Sequence, residues 1–419
     1  MALSAIAPFE AAPRASAIGS SRGLRIAFVG LVLAVTIGQR LALNVAVAPI
    51  NLAFLLIYAL LAIAIFFDRL LVSTPRLLTY AAFVTLALAS TAVNLSVNRE
   101  QVSLASLALL LVIYLPYVFT LKPGALAESD RDFALRTFGN VGFACAVIGI
   151  LQFYVQFVFR PPWLFDYLPY VPNVLHGSER YNTVIPVGSL SLFKANGFFF
   201  REPSGFSMLV AFTLICEWVT FKRTWRIMTL ALALLVTYSG TGILALSIGM
   251  LFPLGVRTLI RFTTVGSIAG LIFLVLGDAM HLGFTAGRVS EFEGERSSAY
   301  IRFIAPIRLI RETLNEGAWT ALLGHGPGAI TREKQAYEFH DPTWAKLLFE
   351  YGVLGFVLMV TLIWITLRRS TLPIQIRAML FCSWLIMGGQ LLAPEHNFML
   401  LALAGLPFVL PPKQVQHAH

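Results

Sequence analysis

The sequence predicts an all-α, polytopic integral membrane protein. Three observations carry that prediction: 58% of the 419 residues are hydrophobic, only 12% are charged, and long apolar runs recur from end to end. A soluble chain carries roughly 25% charged residues, and the mean hydropathy here is +0.77. Crossing a bilayer takes about 20 apolar residues in a helix. Twelve stretches are candidates, at 24–39, 46–67, 77–93, 102–121, 134–158, 203–221, 226–239, 241–256, 263–279, 343–367, 375–393 and 397–410. The first, seventh and last are short, so about twelve helices are expected in one membrane domain spanning 1–419.

Charge orients the stack, because cytoplasmic connections carry the Lys/Arg excess. With the N-terminus inside, seventeen of the 31 basic residues face the cytoplasm, among them Arg22, Arg25, Arg69, Arg76, Lys122, Arg131, Arg223, Arg226, Arg368, Arg369 and Arg377. Only Glu10, Asp68, Glu128, Asp130 and Asp132 accompany them, a surplus of twelve positive charges. The outer side is near neutral and holds two long loops, 160–202 and 280–342. The net charge of +10 is therefore a topology signature, not a nucleic-acid footprint. Both termini are expected to be cytoplasmic.

Several classes of chemistry find no support. Cys145, Cys216 and Cys382 lie within expected spans and suggest neither a disulfide framework nor a metal cluster. The outer loops hold no Asp-x-Asp pair for a divalent ion, and the chain has no phosphate loop or dinucleotide fingerprint. No metal or cofactor is expected. The first apolar run lacks an Ala-x-Ala-like exit, so no cleavable leader is expected, and no internal repeat is evident.

Function should lie in what a bilayer does not require, which means the two outer loops. Loop one is rich in Pro and aromatic residues and closes on Phe200-Arg201-Glu202-Pro203-Ser204. Pro is well tolerated in a first helical turn, so Pro203 should start the sixth span with Arg201 and Glu202 at the membrane surface. The pair either caps that helix or belongs to a site. In loop two, a surface helix is expected from Ser297 or Ser298 as N-cap, with Tyr300, Ile304, Ile307 and Ile310 on its apolar side. Arg288, Arg296, Arg302, Arg308 and Arg311 fall in or beside it. They either anchor the helix to lipid headgroups or hold a phosphate, which the planar guanidinium fork suits.

Loop two ends in "LLGHGPG" (322–328) and "HDPTWAKLLFEYGVLG" (340–355). Gly324, Gly326 and Gly328 around Pro327 predict a turn with exposed backbone amides, containing His325. Asp341 reads as an N-cap and Pro342 as a first helical residue, which puts His340 just outside a helix N-terminus. The positive end of the helix dipole keeps an imidazole there neutral, and a neutral imidazole accepts protons. The plainer alternative is an interfacial His making a structural hydrogen bond.

These segments, in this order, resemble the O-antigen ligase and Wzy-type polysaccharide polymerase family over residues 190–360. The family ends its large periplasmic loop with a Gly-x-Gly turn and a His-Asn segment leading into a helix with Gly-x-x-Gly. Here Gly352 and Gly355 supply the last pair, and Asp341 stands where the family usually has Asn. "KANGFFFREPSG" (194–205) is similar to the family's basic stretch before its central span, with Lys194 in place of the usual Arg. The Glu-Pro-Ser version is more typical of polymerases. One departure stands out: Tyr238-Ser239-Gly240-Thr241-Gly242 lacks the Arg that the family places in that break.

The resemblance implies a metal-independent glycosyltransferase of GT-C type in the bacterial inner membrane. Its substrate would be an undecaprenyl-diphosphate-linked glycan, and its partners membrane lipid and a chain-length regulator. It implies periplasmic catalysis with His340 as base and Glu202 in reserve, Arg296 and Arg201 at the diphosphate, and Lys194, Arg302 and His325 lining the site. A ligase would share the chemistry but deliver the glycan to lipid A–core. A transporter or flippase would instead use polar groups at mid-membrane, for which Glu217 and the Gly240–Gly242 break are the candidates.

Overall fold

The computed structural model describes residues 15–44, 49–97, 102–126, 130–177, 184–187, 190–276, 300, 304–332, 341–387 and 389–407. They are mostly helical. In chain order the helices are α1 (Ala15–Thr36), α2 (Leu52–Phe66), α3 (Thr74–Val97), α4 (Leu104–Tyr114), α5 (Asp130–Val155), α6 (Pro203–Cys216), α7 (Thr224–Val236), α8 (Gly240–Leu251) and α9 (Val256–Leu276). After these come α10 (Ala305–Glu316), α11 (Ala318–Leu323), α12 (Thr343–Arg368), α13 (Ile374–Ile386) and α14 (Pro394–Leu400). The strands are β1 (Ala42–Asn44), β2 (Pro49–Asn51), β3 (Leu70–Val72), β4 (Phe119–Leu121), β5 (Val184–Val187) and β6 (Leu190–Phe193), and they form three antiparallel pairs, β1–β2, β3–β4 and β5–β6.

Each of the twelve apolar runs contains a helix, but the expectation of twelve full spans is not met. Among the described residues four helices are long and apolar enough to cross a membrane: α3, α5, α12, and α6 extended by its π turn to Phe221. A 13-residue helix such as α7 rises about 20 Å, against an apolar thickness of about 30 Å. The discrepancy arises because hydropathy counts apolar residues that the backbone uses otherwise. Run 102–121 includes a 3-10 turn at Leu115–Val118 and strand β4, and run 375–393 includes the irregular stretch after Met387. The second loop is also not wholly irregular, since it contains α10 and α11.

Two ends of the helix stack can be told apart by their contacts. At one end β3 pairs with β4, Lys122 Nζ donates to Asp68 Oδ2 at 2.6 Å, and Arg25 donates to the Leu126 carbonyl. There too Arg76 donates to the carbonyls of Tyr117, Phe119 and Gly405, and Arg131 to that of Thr371. These are basic residues that the charge count places inside. At the other end the first hairpin meets loop one: Arg40, fully buried, donates to Asp166 Oδ1 at 2.6 Å and lies over the Tyr167 ring, while Asn44 donates to the Asn173 carbonyl.

A continuous apolar core runs through most of the helices. Inside it a polar chain fixes the start of α14. Trp384 donates to Tyr114 Oη, Tyr114 to the Leu391 carbonyl and Tyr117 to the Asn397 carbonyl, while Asn397 Nδ2 donates to Gln390 and Ala393 carbonyls. A smaller cluster of Leu309, Ile310, Ala329, Ile330, Ala345 and Phe349 seats α10 and the following turn on α12.

Candidate active site

The Gly-rich turn and the start of α12 form one structure. Gly324, Gly326 and Gly328 all have positive φ, and α12 is broken at Gly352, whose φ of 64° and ψ of −171° suit glycine almost alone. The break frees the carbonyls of Phe349 and Glu350 from their helical partners. The turn takes them up: His325 N–H donates to Phe349 O at 2.8 Å and Gly326 N–H to Glu350 O at 2.9 Å. The two backbones approach so closely that a Cβ on Gly324 would sit 2.5 Å from the Glu350 carbonyl carbon. A Cβ on Gly352 would sit 2.3 Å from that of Leu322. The other side of the turn is held by α3 and the segment before α4, through Ser90 to Leu323 O, Asn94 to Gly324 O, and Ser103 N–H to Pro327 O.

Ionisable groups collect below this turn. Glu350 is 1% exposed, its carboxylate accepts from the Gly328 amide, and Oε1 lies 3.4 Å from Lys346 Nζ. Asp341 stands just before the helix, and burial raises its carboxyl pKa above the ordinary value, with Lys346 pulling it partly back. The cap differs from expectation by one residue: α12 begins at Thr343 with Pro342 as N-cap, and no side chain caps it. Asp341 contributes its carbonyl instead, accepting from Gly389 N–H at 2.9 Å.

His325 is engaged by its neighbours. Its ring packs on Phe349 with centroids 4.5 Å apart, and Nε2 lies 3.1 Å from Glu316 Oε2. The ring contact seats His325 on α12, while Nε2 makes no hydrogen bond to Glu316 or to any other described residue. His340, Arg296 and Arg302, with Ser297 and Ser298, lie outside the described residues. Tyr300 is helical, with its carbonyl accepting from Ile304 N–H at 2.9 Å, and the helix described after it, α10, begins at Ala305 with Ile304 as N-cap. Its buried stripe is Ala305, Pro306, Leu309, Ile310 and Thr313, which leaves Ile307 49% exposed and corrects the expected apolar face.

Around α6 the expectation for the helix start is met. Glu202 is an extended N-cap and Pro203 the first helical residue. Arg201 is exposed and Glu202 partly so, and among the described residues they make no ion pair with each other. Lys194 is 3% exposed and adjoins Ala195, whose N–H donates to the Val236 carbonyl. The backbone beside Lys194 thus passes the α7–α8 break, the place where the sequence lacks the Arg of the family it resembles. At that break Gly242 approaches Ser207 on α6, donating to its Oγ at 3.1 Å, and a Cβ there would meet the Ser207 carbonyl oxygen at 2.5 Å.

The connection from α13 to α14 touches both loop ends. Gly389 binds Asp341, and Gln390 Nε2 lies 3.5 Å from Met208 Sδ on α6. Beside it is a narrow cleft whose lining includes Gln39, Phe200, Met208, Glu395 and His396. His396 Nδ1 lies 3.9 Å from Glu395 Oε1 and has no hydrogen-bond partner among the described residues. Neither residue stands out in the sequence, because the last apolar run starts at 397. The signal was nonetheless present in Pro394-Glu395-His396, another polar start to an apolar helix.

Glu217, the candidate for a mid-membrane polar group, is paired with two arginines. It sits in the π turn that ends α6, fully buried, accepting from Arg223 Nε at 2.8 Å and from Arg226 at 3.2 Å. It is neutralised at the end of the helix that faces Asn140, to which Arg226 also donates. Among the described residues no three His, Cys, Asp or Glu side chains are grouped to hold a metal ion. The chain matches no protein-family model and no curated protein.

Proposed function

We propose that the chain polymerises lipid-linked oligosaccharide repeats at the outer face of a bacterial inner membrane, as the resemblance to the Wzy-type polymerases implies. One observation carries the reading furthest. The 389–390 connection bridges Asp341, the residue after His340, to α6, whose N-terminus bears Arg201 and Glu202. Segments more than 130 residues apart in sequence (Glu202 and Asp341) thus share one end of the stack.

In the proposed reaction a sugar hydroxyl of one lipid-linked repeat attacks the anomeric carbon of the growing chain. The anomeric C–O bond to phosphate breaks, undecaprenyl diphosphate leaves with the electron pair, and configuration inverts. His340 takes the hydroxyl proton, with Glu202 as the alternative base. Arg201 and Arg296 offset the charge on the leaving diphosphate, a role in which fixed positive groups lower the barrier, and Lys194, Arg302 and His325 line the site. General-base assistance contributes about 10²–10⁴ in rate.

A second reading, transport or flipping of the glycan lipid, is favoured by α12 itself. A broken helix with a buried Lys–Glu pair just before the break is a feature transporters use. Gel analysis of surface polysaccharide from a deletion strain separates the cases. Surface glycan reduced to single repeats supports a polymerase, loss of capped lipid A–core indicates a ligase, and accumulation of repeats on the cytoplasmic side indicates a flippase. Unchanged glycan removes all three.

A further inference from the structure

Helix α10 buries one stripe against α12 and turns another outward. On the outward side Ile307, Arg311, Leu314 and Asn315 follow one another at helical spacing, and with Ile310 and Trp344 they line a groove of about 430 Å³. Ile307 and Leu314 are 49% and 42% exposed. Trp344 is the second residue of α12, a helix long and apolar enough to cross a membrane, so the groove opens at the level where that helix leaves the apolar layer. Aromatic rings concentrate at that level. Trp319, on the adjoining α11, is 76% exposed.

The charge of the groove is one-sided. Arg311 is exposed in its wall and makes no ion pair among the described residues. The acid nearest the end of α10, Glu316, is directed to His325 on the other side of the helix. Apolar walls that take a hydrocarbon chain, with one unpaired guanidinium at the polar boundary, complement a lipid carrying a phosphate near its chains. Phosphate oxygens match the guanidinium fork, and the stem of Arg packs along the apolar wall.

We propose that the groove between α10 and α12 binds an anionic phospholipid of the surrounding bilayer, with its phosphate on Arg311 and an acyl chain along Ile307, Leu314 and Trp344. The site is independent of glycan transfer and holds whichever reading of the function is right. Its effect is to fix α10, and through the Leu309, Ile310, Ala329 and Ile330 cluster the segment after the Gly-rich turn, to the membrane surface.

The test uses the full chain carrying Asn315→p-benzoylphenylalanine, reconstituted in nanodiscs of phosphatidylglycerol and phosphatidylcholine at equal bulk shares. After irradiation, mass spectrometry reads which lipid is attached. The expected result is an excess of phosphatidylglycerol of about fivefold, the enrichment one basic residue gives near an anionic surface. The excess should fall to the bulk ratio with Arg311→Gln, which folds normally because Arg311 is exposed, and persist with Arg308→Gln. A bulk ratio in the unsubstituted protein overturns the proposal. So does persistence of the excess in Arg311→Gln, or displacement of phosphatidylglycerol by an equimolar amount of polyprenyl diphosphate.

Discussion

Gly352→Ala tests how the Gly-rich turn is held. The substitution puts a methyl group 2.3 Å from the Leu322 carbonyl group and forces an L side chain to adopt φ of 64°. That backbone region costs a non-glycine residue about 1–3 kcal/mol. If α12 relieves the strain by becoming continuous, Phe349 and Glu350 recover helical partners and the turn loses both amide bonds, about 0.5–1.5 kcal/mol each. Better helix propensity returns about 0.5–1 kcal/mol. The net loss is therefore about 1 kcal/mol, which is about a 5-fold change in the opening equilibrium. Hydrogen exchange in detergent should show the His325 and Gly326 amides exchanging about 5-fold faster, with a lower Tm. Gly205→Ala is the control, because its Cβ would make only an ordinary 3.7 Å contact with Phe200. Unchanged protection of both amides in Gly352→Ala would refute the docking account.

Removing one partner of the Lys346–Glu350 pair should be worse than removing both. Glu350→Gln leaves a buried cation without its carboxylate and should destabilise by about 3–5 kcal/mol, whereas Lys346→Met with Glu350→Leu should recover much of it, as measured by Tm. Asp341→Asn should stabilise at neutral pH. The folded-state pKa of Asp341 is raised by burial, so the native protein keeps this proton longer than the unfolded chain and loses stability as pH rises from the ordinary carboxylate range through the raised value. The Tm of variant and parent should coincide below that range and diverge above it, and a constant gap at all pH values contradicts the assignment. Cysteines at Ser178 and Gln335 should react with an impermeant thiol reagent from outside and one at Thr224 should not. The reverse pattern inverts the orientation.

Sequence alone made the α-helical membrane character legible because hydropathy is a local property. It also located the starts of α6 and α12 to within one residue, since Pro203 and Pro342 mark helix starts by their own geometry. It overcounted full spans because apolar residues in β4, the Leu115–Val118 turn and the connection after Met387 look the same to hydropathy as residues in a helix. It named Gly324, Gly326, Gly328 and Gly352 but not their relation, since docking a turn into a helix break depends on which distant carbonyls lack partners. Glu395 and His396 escaped for the same reason: only packing shows that α14 begins beside Phe200 and Gln39. The pairing of Glu217 was not legible because a span does not reveal where along it a π turn and two arginines will fall.

The central claim is that this chain joins lipid-linked repeats using a proton acceptor at the start of α12. The measurement is a single-component assay: purified protein in nanodiscs with undecaprenyl-diphosphate-linked repeat, products resolved by gel. The parent protein should yield a ladder of lengths, and His340→Gln should bind the substrate with unchanged affinity and yield single repeats only, even at raised pH. Single repeats from the parent protein contradict polymerisation, and a full ladder from His340→Gln removes His340 as the base and passes that role to Glu202.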